Sequence, residues 1–117
     1  MTTVVPVINE RQRRPAGRCV PHVESDLSGV EALRLAVLTK SLADPTRLRI
    51  VDAVRKAMPQ AVCQCELLPL FDMSQPALAK HLRILIAAGV LHAERRGRWV
   101  YYHVVADSLK DLRVWLS

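Results

Sequence analysis

The segment from Ala61 to Leu85 reads AVCQCELLPLFDMSQPALAKHLRIL. It predicts a short helix bearing a Cys-x-Cys pair, a polar break at Asp72, Met73 and Ser74, and a second helix. Ser74 is a suitable N-cap, because its side-chain oxygen accepts from a backbone N–H that the first turn leaves unpaired. Pro76 falls in that first turn, where a missing N–H costs little. The second helix is expected to run to Gly89, with Leu78, Leu82 and Leu85 on one stripe and Gln75, Lys80 and Arg83 projecting elsewhere. Two helices joined by a short polar turn make a helix-turn-helix, whose second helix enters the DNA major groove.

Downstream, Leu91–Arg95 and Arg98–Val104 read as two strands around Arg96-Gly97. The second is rich in β-branched and aromatic residues, and the glycine supplies the positive φ of a tight turn. The expected fold is therefore mainly α (α+β), a winged helix-turn-helix with a β-hairpin wing. Charge agrees with a nucleic-acid surface, since Lys80, Arg83, Arg95, Arg96 and Arg98 face a single carboxylate, Glu94, between residues 74 and 103. Basic side chains at a hairpin tip reach phosphates or a minor groove.

The chain has 117 residues, half of them hydrophobic, and a net charge of +6. These values suit one small domain with a basic face, and they point to double-stranded DNA as partner. No apolar run has the length of a membrane span, and the N-terminus lacks the apolar core of a signal peptide. The expected location is the cytoplasm, with no membrane partner. Three cysteines cannot close a disulfide set within one chain, and reducing surroundings keep all three as thiols. No nucleophile–base pair, phosphate loop or paired carboxylate supports an enzyme.

Residues 1–24 read as a flexible basic arm, with Pro6, Pro15 and Pro21 among four arginines, and residues 25–117 as the DNA-binding and dimerisation domain. The arm arginines suit a solvated tail at least as well as a DNA contact. Ser28 caps a predicted helix to about Leu42, with a stripe of Val30, Leu33, Val37, Leu38 and Leu42. Asp44-Pro45 starts another, whose expected buried positions are Leu48, Val51, Val54 and Met58. A last helix over Asp107–Leu116 presents Leu109, Leu112, Val114 and Leu116. The first and last helices are the expected seam of a homodimer, which would read a two-fold operator with one recognition helix per half-site.

The run Leu42–Ile50, the segment Cys63-Gln64-Cys65-Glu66-Leu67, Ser74-Gln75-Pro76 with His81-Leu82, Ala88–Leu91 and Arg96–Tyr102 together resemble the ArsR/SmtB family of bacterial metal-responsive repressors. The likeness extends from about Leu33 to Leu116. It implies a homodimer that binds operator DNA when effector-free and releases it on binding the effector, switching on resistance or efflux genes. The implied DNA-contacting set is Ser74, Gln75, Lys80, His81, Arg83, Arg95, Arg96 and Arg98. Ala79 and Lys80 stand where the family often has Ser and His, a departure that bears on the operator sequence preferred and leaves DNA binding intact.

Residues two apart on a regular helix point to nearly opposite faces, so Cys63 and Cys65 converge only at a helix start. A helix N-terminus also favours the ligating thiolate. Arsenic-responsive family members often carry a third Cys three residues on, where this chain has Leu68. Similar sensors bridge an arm thiol to the Cys-x-Cys helix, which implies Cys19 as the third ligand. Three thiolates suit trivalent arsenic (arsenite) or antimony and also admit cadmium or lead. His22 as a fourth donor would make a zinc-type Cys₃His site, and oxidation of the thiols in place of metal binding is a further alternative. The last helix contains no His, so the family's other site, of carboxylates and imidazoles, is not expected there. His92 and His103 read as surface or packing residues, and Trp99, Tyr101 and Tyr102 as packing of the wing.

Overall fold

A computed structural model describes residues 23–117. Its elements are α1 (Gly29–Leu42), α2 (Pro45–Ala57), β1 (Val62–Cys63), α3 (Gln64–Leu67) with a 3₁₀ turn over Leu68–Leu70, α4 (Gln75–Ala87), β2 (Leu91–Arg96), β3 (Trp99–Val104) and α5 (Ala106–Leu116). Residues 1–22 of the predicted arm, with Cys19 and His22, lie outside the described residues.

The helix starts follow the cap chemistry of the sequence. Ser28 Oγ accepts from Glu31 N at 3.1 Å, Asp44 Oδ2 from Arg47 N at 3.0 Å, and Ser74 Oγ from Ala77 N at 3.3 Å. Gly89, at φ +78°, ends the recognition helix. Its N–H donates to Ile86 O and that of Val90 to Leu85 O, so the last carbonyls are paired while Val90 and Leu85 are both driven fully inside. The helix thus stops two residues before the expected Gly89.

The wing is a hairpin in which Arg96 pairs with Trp99 around Gly97, which takes φ +63°. The sequence reading missed a third strand. Val62 pairs with Tyr102 and Cys63 with Tyr101, giving an antiparallel sheet in the order β1-β3-β2. Two residues carry too little alternation to announce a strand.

Ile50, Val54, Leu67, Leu78, Leu82, Leu85, Val90 and Leu91 are fully buried, which sets α2, α3, α4 and the wing base around one core. Two expected stripes need correction. On α2 the buried positions are Ile50, Val51 and Val54, while Leu48 and Met58 are about half exposed. At 100° per residue, Leu48 lies more than a right angle from the centre of that face, and Met58 lies past the helix end. On α1 the predicted single stripe is two faces. Leu38 and Ser41 are buried, with Leu35 and Leu42 packed beside them, whereas Val30, Leu33 and Val37 form a separate exposed apolar row. On α5, Leu109 and Leu112 pack on the core, and Val114, Trp115 and Leu116 are exposed.

Candidate thiol centre and nucleic-acid interface

Cys63 is the last residue of β1 and the cap of α3; its N–H donates to Glu66 Oε1 at 3.1 Å. Its side chain is buried, while Cys65, in the first turn of α3, is exposed. Because this is a helix start and not a helix interior, the two sulfurs meet at 2.7 Å, the Cys65 thiol donating to Cys63 Sγ. The expected convergence at the helix start therefore occurs. The expected pull towards thiolate is reversed at Cys65. The bond to Cys63 pushes the Cys65 thiol above its ordinary pKa, and desolvation and the negative charges of Cys63 and Glu66 act the same way. A four-residue helix capped by a carboxylate offers too little positive potential to reverse this.

The thiols open into a cleft of about 410 Å³ whose other walls are Gln64 and Leu68, Gln75 at the start of α4, and Arg98, Trp99 and Val100 of the wing. Leu68, the position at which the resemblance placed a third Cys, thus lines the same space. No cluster of three or more His, Cys, Asp or Glu side chains suited to a metal occurs among the described residues. Among the described residues, the thiols of Cys63 and Cys65 are brought together without a third such donor beside them.

Gln75, Lys80 and Arg83 are exposed on α4. Ser74 is exposed as well, but its oxygen is occupied as the cap. His81 is half-buried, its Nδ1 3.4 Å from Arg47 Nη1, so it faces inward. Arg47 is the residue that sequence reasoning missed. It holds the first-turn position of α2 in line with Ile50, Val51 and Val54, and its Nε donates to Ser41 O at 2.6 Å. One guanidinium thereby links the end of α1 to the recognition helix. An arginine at a helix start reads as solvated, and only the i, i+3, i+4, i+7 spacing with the buried residues marks it. Arg47 N–H on the Asp44 carboxylate holds that group below its usual pKa, burial opposing and the positive charges of Arg47 and His81 adding to the effect.

On the wing, Arg95, Arg96 and Arg98 are exposed. Arg96 is bonded to Glu94 at 3.2 Å and lies 4.9 Å over the Tyr101 ring, whereas Arg95 and Arg98 form no ion pair with a described residue. Tyr102 is buried and Tyr101 half-buried, as expected of wing packing, but Trp99 is 56% exposed beside the cleft. His92 and His103 face each other across the strands, ring centroids 5.0 Å apart, as an exposed and a half-buried residue.

With this geometry in hand, the likeness to known proteins is decisive. Residues 44–93 match the description "Bacterial regulatory protein, arsR family". An uncharacterised HTH-type transcriptional regulator of Methanocaldococcus jannaschii is 33% identical over 68% of this chain and 86% of its own length. The chain belongs to the arsR family of transcriptional regulators. A transcriptional repressor SmtB homolog of Synechocystis is 33% identical over 70% of this chain, which spans only 60% of that relative. The crystal structure of a possible transcriptional regulator for arsenical resistance superposes with a TM-score of 0.60 at 30% identity, covering 68% of this chain and 79% of that one. The winged helix-turn-helix is thus the family's fold. Among the described residues no helix is long and apolar enough to cross a membrane.

Proposed function

We propose that the chain is a homodimeric repressor that binds operator DNA without effector and lets go when trivalent arsenic, or antimony, is held by Cys63, Cys65 and Cys19, switching on resistance genes. The observation that carries this reading is the placement of two convergent thiols in a cleft walled by the first residue of the recognition helix and the turn end of the wing. An effector there touches both DNA-reading parts at once. Gln75, Lys80 and Arg83 would face the major groove, with Ser74 and His81 beside them and Arg95, Arg96 and Arg98 on flanking backbone. The segment 1–24 would serve as an arm supplying Cys19.

The protonated state of Cys65 favours a trivalent hydroxide over a divalent cation. Arsenite, As(OH)₃, meeting three S–H groups forms three As–S bonds and three waters with no proton released, whereas a divalent cation has to expel the thiol protons. A second reading keeps the same thiols but assigns cadmium, lead or zinc with His22; the SmtB-type relative supports it.

The test is operator binding by the full chain, titrated with arsenite, cadmium, zinc and peroxide. Arsenite is expected to release DNA from the wild type and to leave Cys63→Ser and Cys65→Ser bound. Cys19→Ser is expected to weaken the response more than it weakens DNA binding. X-ray absorption of the loaded protein should show three sulfur neighbours and no nitrogen. A histidine nitrogen in that shell, or release by zinc in preference to arsenite, would replace this reading with the second.

A further inference from the structure

The carbonyl of Ser41 stands four residues before Pro45, whose missing N–H denies it the bond that a continuing helix would supply. Arg47 Nε takes that carbonyl at 2.6 Å and sets a positive charge at the C-terminal end of α1, where the helix dipole favours one. Ser41 is buried and its Oγ donates to Leu38 O, so the carbonyl belongs to a packed turn. The same helix carries Val30, Leu33 and Val37, the exposed row expected at the dimer seam. At its other end the half-buried guanidinium reaches His81, in the middle of α4, with Nη1 3.4 Å from Nδ1. A guanidinium only donates, so Nδ1 is the acceptor and the ring proton sits on Nε2.

Leu78, Leu82 and Leu85 are fully buried and set how deep α4 sits, but apolar contact is non-directional and leaves roll and tilt to directional bonds. Past its C-terminal end α4 is tied to the last helix, where Ser108 Oγ donates to Gly89 O at 2.7 Å and Val105 N to Val90 O at 2.8 Å. The bond to His81 acts further forward, towards the end that enters DNA. Attitude matters to a two-fold reader, because one base pair more or less between half-sites turns the second site by about 35° around the duplex.

Resting on the operator-binding homodimer proposed above, we propose that Arg47 is a positioning residue: through Ser41 and His81 it holds the recognition helix at a fixed attitude to the dimer seam, and so sets the half-site spacing that the dimer reads. Without it each recognition helix samples a range of attitudes. The correctly spaced operator then loses part of the gain from linking two half-sites, and a misspaced one is rejected less.

The experiment compares the full-length wild type, without effector, with Arg47→Ala, Arg47→Lys, His81→Ala and His81→Asn. Lysine keeps the charge, but one ammonium on a flexible stem does not hold both partners, and asparagine keeps an acceptor near the Nδ1 position. The probe is a duplex selected by the wild type from a random pool, remade with one base pair inserted or removed between its half-sites, and as an isolated half-site. Fluorescence anisotropy gives the affinities, sedimentation the dimer and thermal unfolding the stability. The wild type should prefer its own spacing by about tenfold or more. Both Arg47 variants should bind the selected duplex about tenfold less tightly, out of the 10²–10⁴ that linkage supplies, and prefer its spacing by less than about threefold. Their half-site affinity should stay within about twofold of the wild type's and their dimer intact. His81→Asn should retain more of the spacing preference than His81→Ala. A phosphate contact made by Arg47 would instead weaken half-site and full duplex alike, and Arg47→Lys would restore both. A merely structural role would lower the melting temperature and half-site affinity together and keep the spacing preference. Either result, or wild-type spacing preference in both Arg47 variants, overturns the inference while the two-fold repressor stands. A wild type that binds the selected duplex no more tightly than its half-site overturns the two-fold reading, and this inference with it.

Discussion

At the scale of single residues, the chemistry turns on a thiol kept protonated. The Cys65 thiol is raised by its bond to Cys63 first, then by desolvation and nearby negative charge, so protons compete with any cation for it more strongly than at an ordinary thiol. A raised pKa means the bound proton persists to higher pH, and a cation's affinity climbs as pH rises and that proton becomes easier to remove. Cadmium affinity is therefore expected to increase between about pH 6 and pH 8, by roughly tenfold per unit for each proton displaced. Arsenite affinity should stay nearly flat over the same range, because its hydroxides leave as water with the thiol protons. Isothermal titration in buffers of differing ionisation enthalpy measures the proton count for each ion, and equal counts would contradict a Cys65 thiol that keeps its proton. Residue identity alone pointed the other way, towards a thiolate at a helix start. The bond to Cys63 decides the sign, with desolvation and then nearby negative charge adding to it, and that bond exists only because the fold brings the two thiols together.

At the scale of elements, the wing separates two arginines that the sequence treats alike. Arg96 is committed to Glu94 and to the face of Tyr101, while Arg98 stands at the cleft mouth beside exposed Trp99. A side chain that has to leave existing partners gains less from a phosphate. Arg98→Ala is expected to cost more operator affinity than Arg96→Ala and to flatten the logarithmic salt dependence by roughly one for each phosphate that is no longer neutralised. Gln75→Ala and Lys80→Ala should instead alter which operator sequences are preferred. Equal salt slopes in wild type and Arg98→Ala, measured between low and moderate salt, would remove the wing from the interface. Element identity was legible because Ser28, Asp44-Pro45, Ser74 and Gly97 mark starts and turns by local chemistry that tertiary packing does not override. Strand β1 was not legible, since its two residues are strand only by pairing with Tyr101 and Tyr102 across a long separation in sequence. Arg47 was hidden for a related reason: its two partners, Ser41 O and His81, lie on other helices.

At the scale of the whole molecule, the exposed apolar rows on α1 and α5 identify what a second copy would cover. Val30, Leu33 and Val37 on α1 are 48–68% exposed, and Val114, Trp115 and Leu116 on α5 are 51–68% exposed. Small domains bury a modest fraction of their surface, and joining such rows across a two-fold axis removes apolar area from water without altering either subunit's core. The sequence placed Val30, Leu33 and Val37 on one stripe with Leu38, and Val114 and Leu116 with Leu112, whereas the fold assigns Leu38 and Leu112 to the subunit's own core. The two groups should therefore respond differently to substitution. Leu112→Asp is expected to destabilise the subunit itself and lower its melting temperature at any protein concentration. Leu33→Asp and Leu116→Asp should leave secondary structure intact and shift sedimentation towards monomer. Operator affinity should fall together with the dimer, because linking two recognition helices makes the second half-site encounter intramolecular, a gain of about 10²–10⁴ that a monomer forfeits. Affinity for an isolated half-site should change little. A Leu33→Asp chain that sediments as a monomer yet binds the full operator as tightly as the wild type would show that two-fold recognition is not how this protein reads DNA.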